Sequence, residues 1–209
     1  MDEGQIAMKT YRPIALTATP LILAFVLAGC ADAGSAPVAD HSGGVTSSLS
    51  PSAEVRGDSN AADSMFAAMM IPHHQQAVEM SDMILGKSGV DERVLDLAEQ
   101  ITDAQGPEIE LMQSWLSGWG TAGSGDTHSM GHGDGMMSDA DMAALETADG
   151  ADAARLYLQQ MIVHHEGAIE MAQAELGDGI NPDAIALAQA IVDAQTAEIA
   201  VMQDLLTRI

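Results

Sequence analysis

The sequence predicts an all-α protein, an antiparallel four-helix bundle built from two duplicated helical hairpins. Only 3% of the 209 residues are aromatic and 15 are methionine, a composition that suits helices packed through small and flexible side chains. The chain beyond residue 59 repeats itself with a nearly constant offset. Each repeat consists of two helix-like segments joined by a short turn, and such hairpins bury their apolar stripes most simply by pairing.

Residues 1–29 are predicted to form a lipoprotein signal peptide. Lys9 and Arg12 precede an apolar stretch that is too short for a comfortable membrane span. The stretch ends in Leu-Ala-Gly followed by Cys30, the only cysteine, and this order resembles a bacterial lipobox. In that pattern the cysteine is lipidated and becomes the new N-terminus. We therefore expect a protein outside the cytoplasm that is anchored to the bacterial cell membrane through Cys30.

Residues 30–58 are small, polar and contain Gly, Ser and Pro, which predicts a flexible tether between the anchor and the folded domain. The formal net charge of −24 excludes nucleic acid as a partner, because the chain cannot neutralise phosphates. An acidic surface instead raises the local concentration of cations. The expected partners are a metal ion and, through the lipid anchor only, the membrane. The sequence identifies no protein partner.

The folded domain is predicted to be two hairpins that flank a His/Met-rich loop. The predicted boundaries are 59–119 for the first hairpin, 120–150 for the loop and 151–209 for the second hairpin. Within the loop, Ser138 and Asp141 form a capping-box pattern, which predicts a short helix that runs to Ala144 or Leu145. In the first hairpin, Pro72 and Pro107 interrupt helical patterns and are expected to kink a helix or to start one locally.

The duplication is visible in both helices of each hairpin. The first-helix stretch MMIPHHQQAVEM (69–80) agrees with QMIVHHEGAIEM (160–171) at seven of twelve positions. The second-helix stretch AEQITDAQGPEIELMQSWL (98–116) agrees with AQAIVDAQTAEIAVMQDLL (188–206) at ten of 19 positions. Because the offset changes only from 91 to 90, the spacing within each half is nearly constant and chance is a poor explanation.

Two adjacent histidines lie on the core-facing stripe of the first helix in each hairpin. At about 100° per residue, His73 and His74 fall on either side of Met70, which lies one turn earlier, and the second hairpin repeats this arrangement. Thioether sulfur together with imidazole nitrogen is a ligand set that suits copper(I). The predicted metal ligands are Met70, His73, His74, Met80, Met161, His164, His165 and Met171.

The second helix of each hairpin carries an amide and a carboxylate on an otherwise apolar stripe. Such groups need partners when they are buried, and the facing histidines can supply them as ion-pair or supporting partners. The predicted supporting residues are Gln105, Glu108, Gln195 and Glu198. The interhelical loop repeats the same chemistry and adds candidate metal ligands at His128, Met130, His132, Met136 and Met137.

The paired stretches MIPHHQQAVEM and MIVHHEGAIEM, each followed by a DAQ…EI…M helix, resemble the bacterial domain-of-unknown-function family 305 over residues 60–208. The resemblance implies a ferritin-like helical bundle that is secreted or lipid-anchored. It also implies copper binding and tolerance outside the cytoplasm, in which some members are implicated, and it places the family's HH and flanking Met positions on the eight predicted ligands. The leading hypothesis is therefore a copper-buffering protein, with Cu(I) favoured over iron or another metal.

Two other functions remain open at the level of sequence. A ferritin-like di-metal oxidase or storage protein needs Glu-x-x-His pairs, but Met70 and Met161 stand three residues before His73 and His164. A metal-free helical interaction module would use the histidines to sense pH. The sequence contains no Ser/His/Asp arrangement, phosphate loop or lone catalytic thiol, so an enzyme is not the leading prediction. Whether the histidine pairs meet at one centre or form two sites stays open.

Overall fold

The computed structural model describes residues 58–121 and 135–209, and this part of the chain is all-α. The helices are α1 (Ala61–Leu85), α2 (Glu92–Gly118), α3 (Asp139–Thr147), α4 (Gly150–Asp178) and α5 (Pro182–Leu206). Several sequence predictions lie outside the described residues: the signal peptide, Cys30, the tether up to residue 57, and the loop residues His128, Met130 and His132.

Four of the five described helices begin at a side chain that accepts hydrogen bonds from the first backbone N–H groups. The capping residues are Asn60, Asp91, Ser138 and Asn181. At α3 the Ser138 hydroxyl accepts from the Asp141 backbone N–H, and the Asp141 carboxylate accepts in return from the Ser138 N–H. The predicted short helix is therefore confirmed, and it extends to Thr147 rather than stopping at Ala144 or Leu145.

Pro72 and Pro107 lie inside helices α1 and α2, and neither residue starts a helix. Both rings lie on the exposed side of their helix. The carbonyl group one turn earlier loses its N–H donor at a proline, but on the solvent side water replaces that donor. Exposure therefore explains why both helices continue through these positions.

The described helices pack as hairpins. Helix α1 packs against α2, helix α4 packs against α5, and the two hairpins meet chiefly through α1 and α4, with α3 lying against both of these helices. The predicted all-α class with hairpin packing is thus confirmed. The finer prediction, a closed antiparallel four-helix bundle that arose by duplication, stays a prediction.

The apolar core consists of two clusters that are separated along both central helices. On α1, Met70 belongs to one cluster and Ala77 to the other. On α4, Met161 and Ala168 are divided in the same way. In each helix the histidine pair lies in the turn between the two clusters. The four imidazoles of His73, His74, His164 and His165 therefore form a buried polar layer, which we call the histidine layer.

Candidate metal centre

His73 of α1 and His164 of α4 lie against each other where the two hairpins meet. Their ring centroids are 3.7 Å apart and the ring planes are inclined by 38°. Each residue is only 1% exposed. The direct contact means that the two histidine pairs meet at one place in the domain, rather than at opposite ends of it.

His74 and His165 each contact a carboxylate on the second helix of their own hairpin. His74 Nε2 lies 2.8 Å from Glu108 Oε2, and His165 Nε2 lies 2.6 Å from Glu198 Oε2. Both imidazoles are fully buried, whereas the glutamate side chains remain 25% and 22% exposed. Each stripe carboxylate thus lies against the facing histidine in the same way in both hairpins, and its role in supporting a metal ligand stays a prediction.

The two glutamate carboxylates determine which ring nitrogen of His74 and of His165 carries a lone pair. A carboxylate oxygen accepts, so Nε2 of His74 and of His165 donates, and in the neutral ring Nδ1 is then the acceptor. Both Nδ1 atoms are buried and have no hydrogen-bond partner among the described residues. Buried polar atoms without a hydrogen-bond partner are rare in proteins. Metal-binding histidines characteristically donate the N–H of their other ring nitrogen to a carboxylate. The donor set therefore fits a metal ion.

His164 is held in its neutral form. Burial lowers its pKa well below the usual value of 6.5, and the neighbouring imidazoles of His73, His165 and His74 lower the pKa further. A neutral imidazole keeps a lone pair at physiological pH, which is the form that binds metal ions.

The predicted methionine ligands lie on either side of the histidine layer and differ in burial. Met80 and Met161 are fully buried in one apolar cluster, and Met70 is fully buried in the other. Met171 is only partly buried and lines a groove at the surface. Met80 and Met171 occupy duplicated positions in the sequence, so the structure distinguishes two residues that the sequence treats alike.

The predicted supporting amides are buried but lack a visible role. Gln105 is 3% and Gln195 4% exposed, and the side-chain carbonyl oxygen of each has no hydrogen-bond partner in the described part of the chain. Because neither carbonyl oxygen accepts from a histidine, the supporting role of both amides stays a prediction.

Across residues 58–121 and 135–209, no three side chains of His, Cys, Asp or Glu form a ready-made metal cluster. Glu108 and Glu198 are already engaged by the histidine Nε2 atoms. A metal site at the histidine layer therefore needs thioether sulfur as well as imidazole, or a rotation of the buried rings.

Sequence reasoning missed the contact that fastens the end of the His/Met-rich loop to α1. The Gln76 amide nitrogen donates to the Met137 carbonyl oxygen at 2.9 Å, and the Met137 backbone N–H donates to Gln76 Oε1 at 2.7 Å. Met137 is 8% exposed and packs in the core, whereas Met136 is partly buried. Of the five predicted loop ligands, these two are the ones whose positions the structure describes.

Gly135 brings the same loop end against α4. Its φ is +87°, and a Cβ atom placed there would lie 2.7 Å from the Val163 carbonyl oxygen and 2.9 Å from Gly167 Cα. Only glycine adopts this conformation at such a distance without strain. The contact lies beside the turn of α4 that carries His164. A glycine that must adopt a positive φ at the end of a glycine-rich loop has no distinct signal in a single sequence.

A second feature that was not predicted is a pair of buried carboxyl groups near the start of α1 and the end of α4. Asp63 Oδ1 accepts from the backbone N–H groups of Ile180 at 3.0 Å and Asn181 at 2.9 Å. Burial opposes the ionisation of Asp63, but these bonds and that from Asn60 lower its pKa overall. Burial, and then the neighbouring Asp63 carboxylate, raise the pKa of Glu175 to about 8.

The fold and the site together define an all-α protein whose hairpins meet at a buried layer of histidines flanked by methionines. The chain belongs to the DUF305 family, since residues 63–206 match the family described as Domain of unknown function (DUF305). A DUF305 protein from Streptomyces coelicolor, inferred to be secreted, is 37% identical with a TM-score of 0.66, over 70% of this chain and 93% of that chain. A DUF305 fragment from Deinococcus radiodurans is 30% identical with a TM-score of 0.65, over 73% and 100%.

The structure is also similar to that of CopM. The Cu(I)-bound form of CopM is 32% identical with a TM-score of 0.58, over 70% of this chain and 96% of that chain. The Cu(II)-bound form is 34% identical with a TM-score of 0.60, over the same shares of the two chains. No curated protein sequence matches the chain. The family resemblance predicted from the sequence is confirmed, and within this fold CopM has been observed with copper bound.

Proposed function

We propose that this protein binds copper outside the cytoplasm, holding Cu(I) at the histidine layer and buffering it for copper tolerance. The observation that supports this function most strongly is the arrangement of His74 and His165. Each donates Nε2–H to a glutamate and keeps a buried Nδ1 without a hydrogen-bond partner among the described residues. The carboxylate orients the ring and raises the basicity of the free nitrogen, which strengthens its bond to a metal.

The surrounding side chains favour Cu(I) over harder ions. Fully buried Met70 and Met161 lie one turn before the histidine pairs and offer soft thioether sulfur. Met80 adds a third buried thioether two turns away on α1, whereas the partly buried Met171 lies at a surface groove. The buried layer keeps water from the site, and the net charge of −24 concentrates cations around the protein. CopM, which is similar in sequence and structure, has been observed with Cu(I), Cu(II) and silver bound.

We infer a binding protein rather than an oxidase. A carboxylate-bridged di-metal site needs free glutamates beside the histidines. Glu108 and Glu198 are instead occupied as acceptors for His74 and His165, and methionines stand where the Glu-x-x-His motif requires glutamate. Iron-dependent oxygen consumption by the purified protein would contradict this inference.

We propose that the mature protein is held at the outer face of the cell membrane by a lipid on Cys30. The lipobox order of residues 27–30 and the secretion inferred for the Streptomyces coelicolor relative support this location. The variant Cys30→Ser is expected to lose incorporated palmitate and to leave the membrane fraction. A protein that stays membrane-bound in that variant would contradict the anchor.

Competition titration of purified protein with a Cu(I) chelator tests the function. We expect tight binding in the wild type and its loss in His73→Ala/His74→Ala and in His164→Ala/His165→Ala. The matched control is Gln75→Ala/Glu166→Ala, which alters exposed neighbours at duplicated positions on the same helices. The proposal fails if the histidine variants bind as tightly as the control, or if copper does not raise the thermal midpoint, as a metal-free module would behave.

A further inference from the structure

Helices α1 and α4 leave a groove of about 290 Å³ at the protein surface, away from the histidine layer. It lies beside the first half of α1 and the second half of α4. Ala62 and Ala174 line it, and these short side chains leave space between the two helices. The groove is open to solvent on one side, so an ion reaches it without any movement of the core.

Three methionines from the two helices line this groove. Met65 and Met69 are one turn apart on α1, so their side chains lie on the same face of the helix. Met171 of α4 lies across from them. Met65 is 50% exposed, whereas Met69 and Met171 are partly buried. The groove therefore presents thioether sulfur from two helices to solvent.

The second hairpin does not repeat the methionine pair of α1. The offset of 91 residues that relates the two hairpins takes Met65 to Leu156 and Met69 to Gln160. Met171 corresponds to Met80, which is fully buried. Duplication of the hairpin therefore does not account for the methionine cluster.

Carboxyl groups supply a second, independent indication of a cation. Glu170 and Asp178 lie at the exposed rim of the groove. Glu175 also lines the groove and is only 1% exposed. Its carboxyl group lies beside the Asp63 carboxylate, and a cation bound nearby would favour ionisation of both groups.

We propose that Met65, Met69 and Met171 form a second, surface site for a monovalent soft ion, Cu(I) or Ag(I), with Glu175 at its inner wall. Two or three thioethers suit such an ion, and the rim carboxylates attract it from solution. This site deepens the proposed function and rests on it for the identity of the metal. Met69 is followed directly by Met70, the buried thioether next to the histidine layer, so α1 carries sulfur donors from the surface to the interior.

Methyl NMR of the full chain, labelled at the methionine ε-carbon and titrated with Ag(I), tests this site. We expect the methyl resonances of Met65, Met69 and Met171 to shift together. The variant Met65→Leu/Met69→Leu/Met171→Leu should lose about one equivalent of Ag(I) in a competition titration and keep the rest. The matched control Met83→Leu/Met142→Leu, which changes two partly buried methionines outside the groove, should lose none.

The same spectra separate this site from the histidine layer, which Met70 and Met161 report. If those two methyl groups shift and the groove methyl groups do not, the surface site is overturned and the proposed function stands. If only the groove methyl groups shift, the surface site stands and the histidine layer is overturned. Retention of the wild-type Ag(I) stoichiometry by the triple leucine variant also overturns the surface site, and this measurement does not require any histidine variant to fold.

Discussion

Replacement of Glu108 by alanine tests whether the carboxylate–histidine pair prepares His74 to bind a metal. In the structure the Glu108 carboxylate accepts from His74 Nε2 at 2.8 Å. Without it the imidazole is free to place its proton on Nδ1, which removes the lone pair from the nitrogen assigned to copper. We therefore expect Glu108→Ala to weaken Cu(I) binding while leaving every proposed ligand in place.

The size of the effect follows from the hydrogen bond and its burial. A hydrogen bond to a charged group contributes about 1.5–3 kcal/mol, and loss of a carboxylate that supports a metal-binding histidine weakens metal affinity about 10–100-fold. The Glu108 side chain is 25% exposed, so solvent replaces part of the lost interaction. We expect a loss of roughly 30-fold, which corresponds to about 2 kcal/mol. Glu198→Ala should cost at least as much, since its contact with His165 is shorter, at 2.6 Å.

The assay is a Cu(I) competition titration, with circular dichroism to establish that the variants remain helical. Glu110→Ala is the matched control, because Glu110 is exposed on the same helix and its replacement removes the same charge. An affinity of Glu108→Ala within about threefold of the control would refute the reasoning, since the supporting effect is expected to be at least about 10-fold.

Three further substitutions test the framework of the domain. Tyr157→Phe removes the buried 2.9 Å hydrogen bond to Ser81 and should lower the free energy of unfolding in urea by about 1–2 kcal/mol; an unchanged value would show that the contact is energetically neutral. Gly135→Ala places a Cβ 2.7 Å from the Val163 carbonyl oxygen at φ +87° and should lower the free energy of unfolding by about 1–3 kcal/mol. An unchanged value would show that the loop end relaxes around the new side chain. The pKa of Glu175 is raised from 4.5 to about 8 in the folded protein, so folding favours the protonated carboxyl group. The contribution of Glu175 to the free energy of unfolding is therefore greatest below about pH 4.5 and is lost as the pH rises towards 8. In metal-free buffer Glu175→Gln, which does not titrate, should therefore gain stability relative to the wild type between pH 5 and pH 8, and parallel pH profiles would contradict this.

Much of the fold and part of the site could be predicted because helices have a strict period. The phase of His74 relative to Met70 placed the pair on the buried stripe, and the same reasoning on α2 gave Glu108 as its partner. The Ser138 capping box gave the start of α3. These features depend on residues within one helix or on two stripes that must face each other.

Other features depend on how two helices approach each other in space, which one sequence does not encode locally. Met80 and Met171 are equivalent in the duplicated motif, but one is enclosed by the core and the other lies at a groove left by small side chains. Gln76 is an ordinary helix residue until the Met137 backbone passes beside it. The buried Glu175 likewise follows from the chain that packs over it and not from its neighbours in sequence.

Anomalous scattering at the copper absorption edge, from crystals of the Cu(I)-loaded protein, tests the central claim most directly. The proposed function predicts a copper peak in the histidine layer, within bonding distance of imidazole nitrogen from both hairpins and of Met70 or Met161 sulfur. Copper found only at the surface, with His73, His74, His164 and His165 arranged as in the metal-free protein, would contradict it.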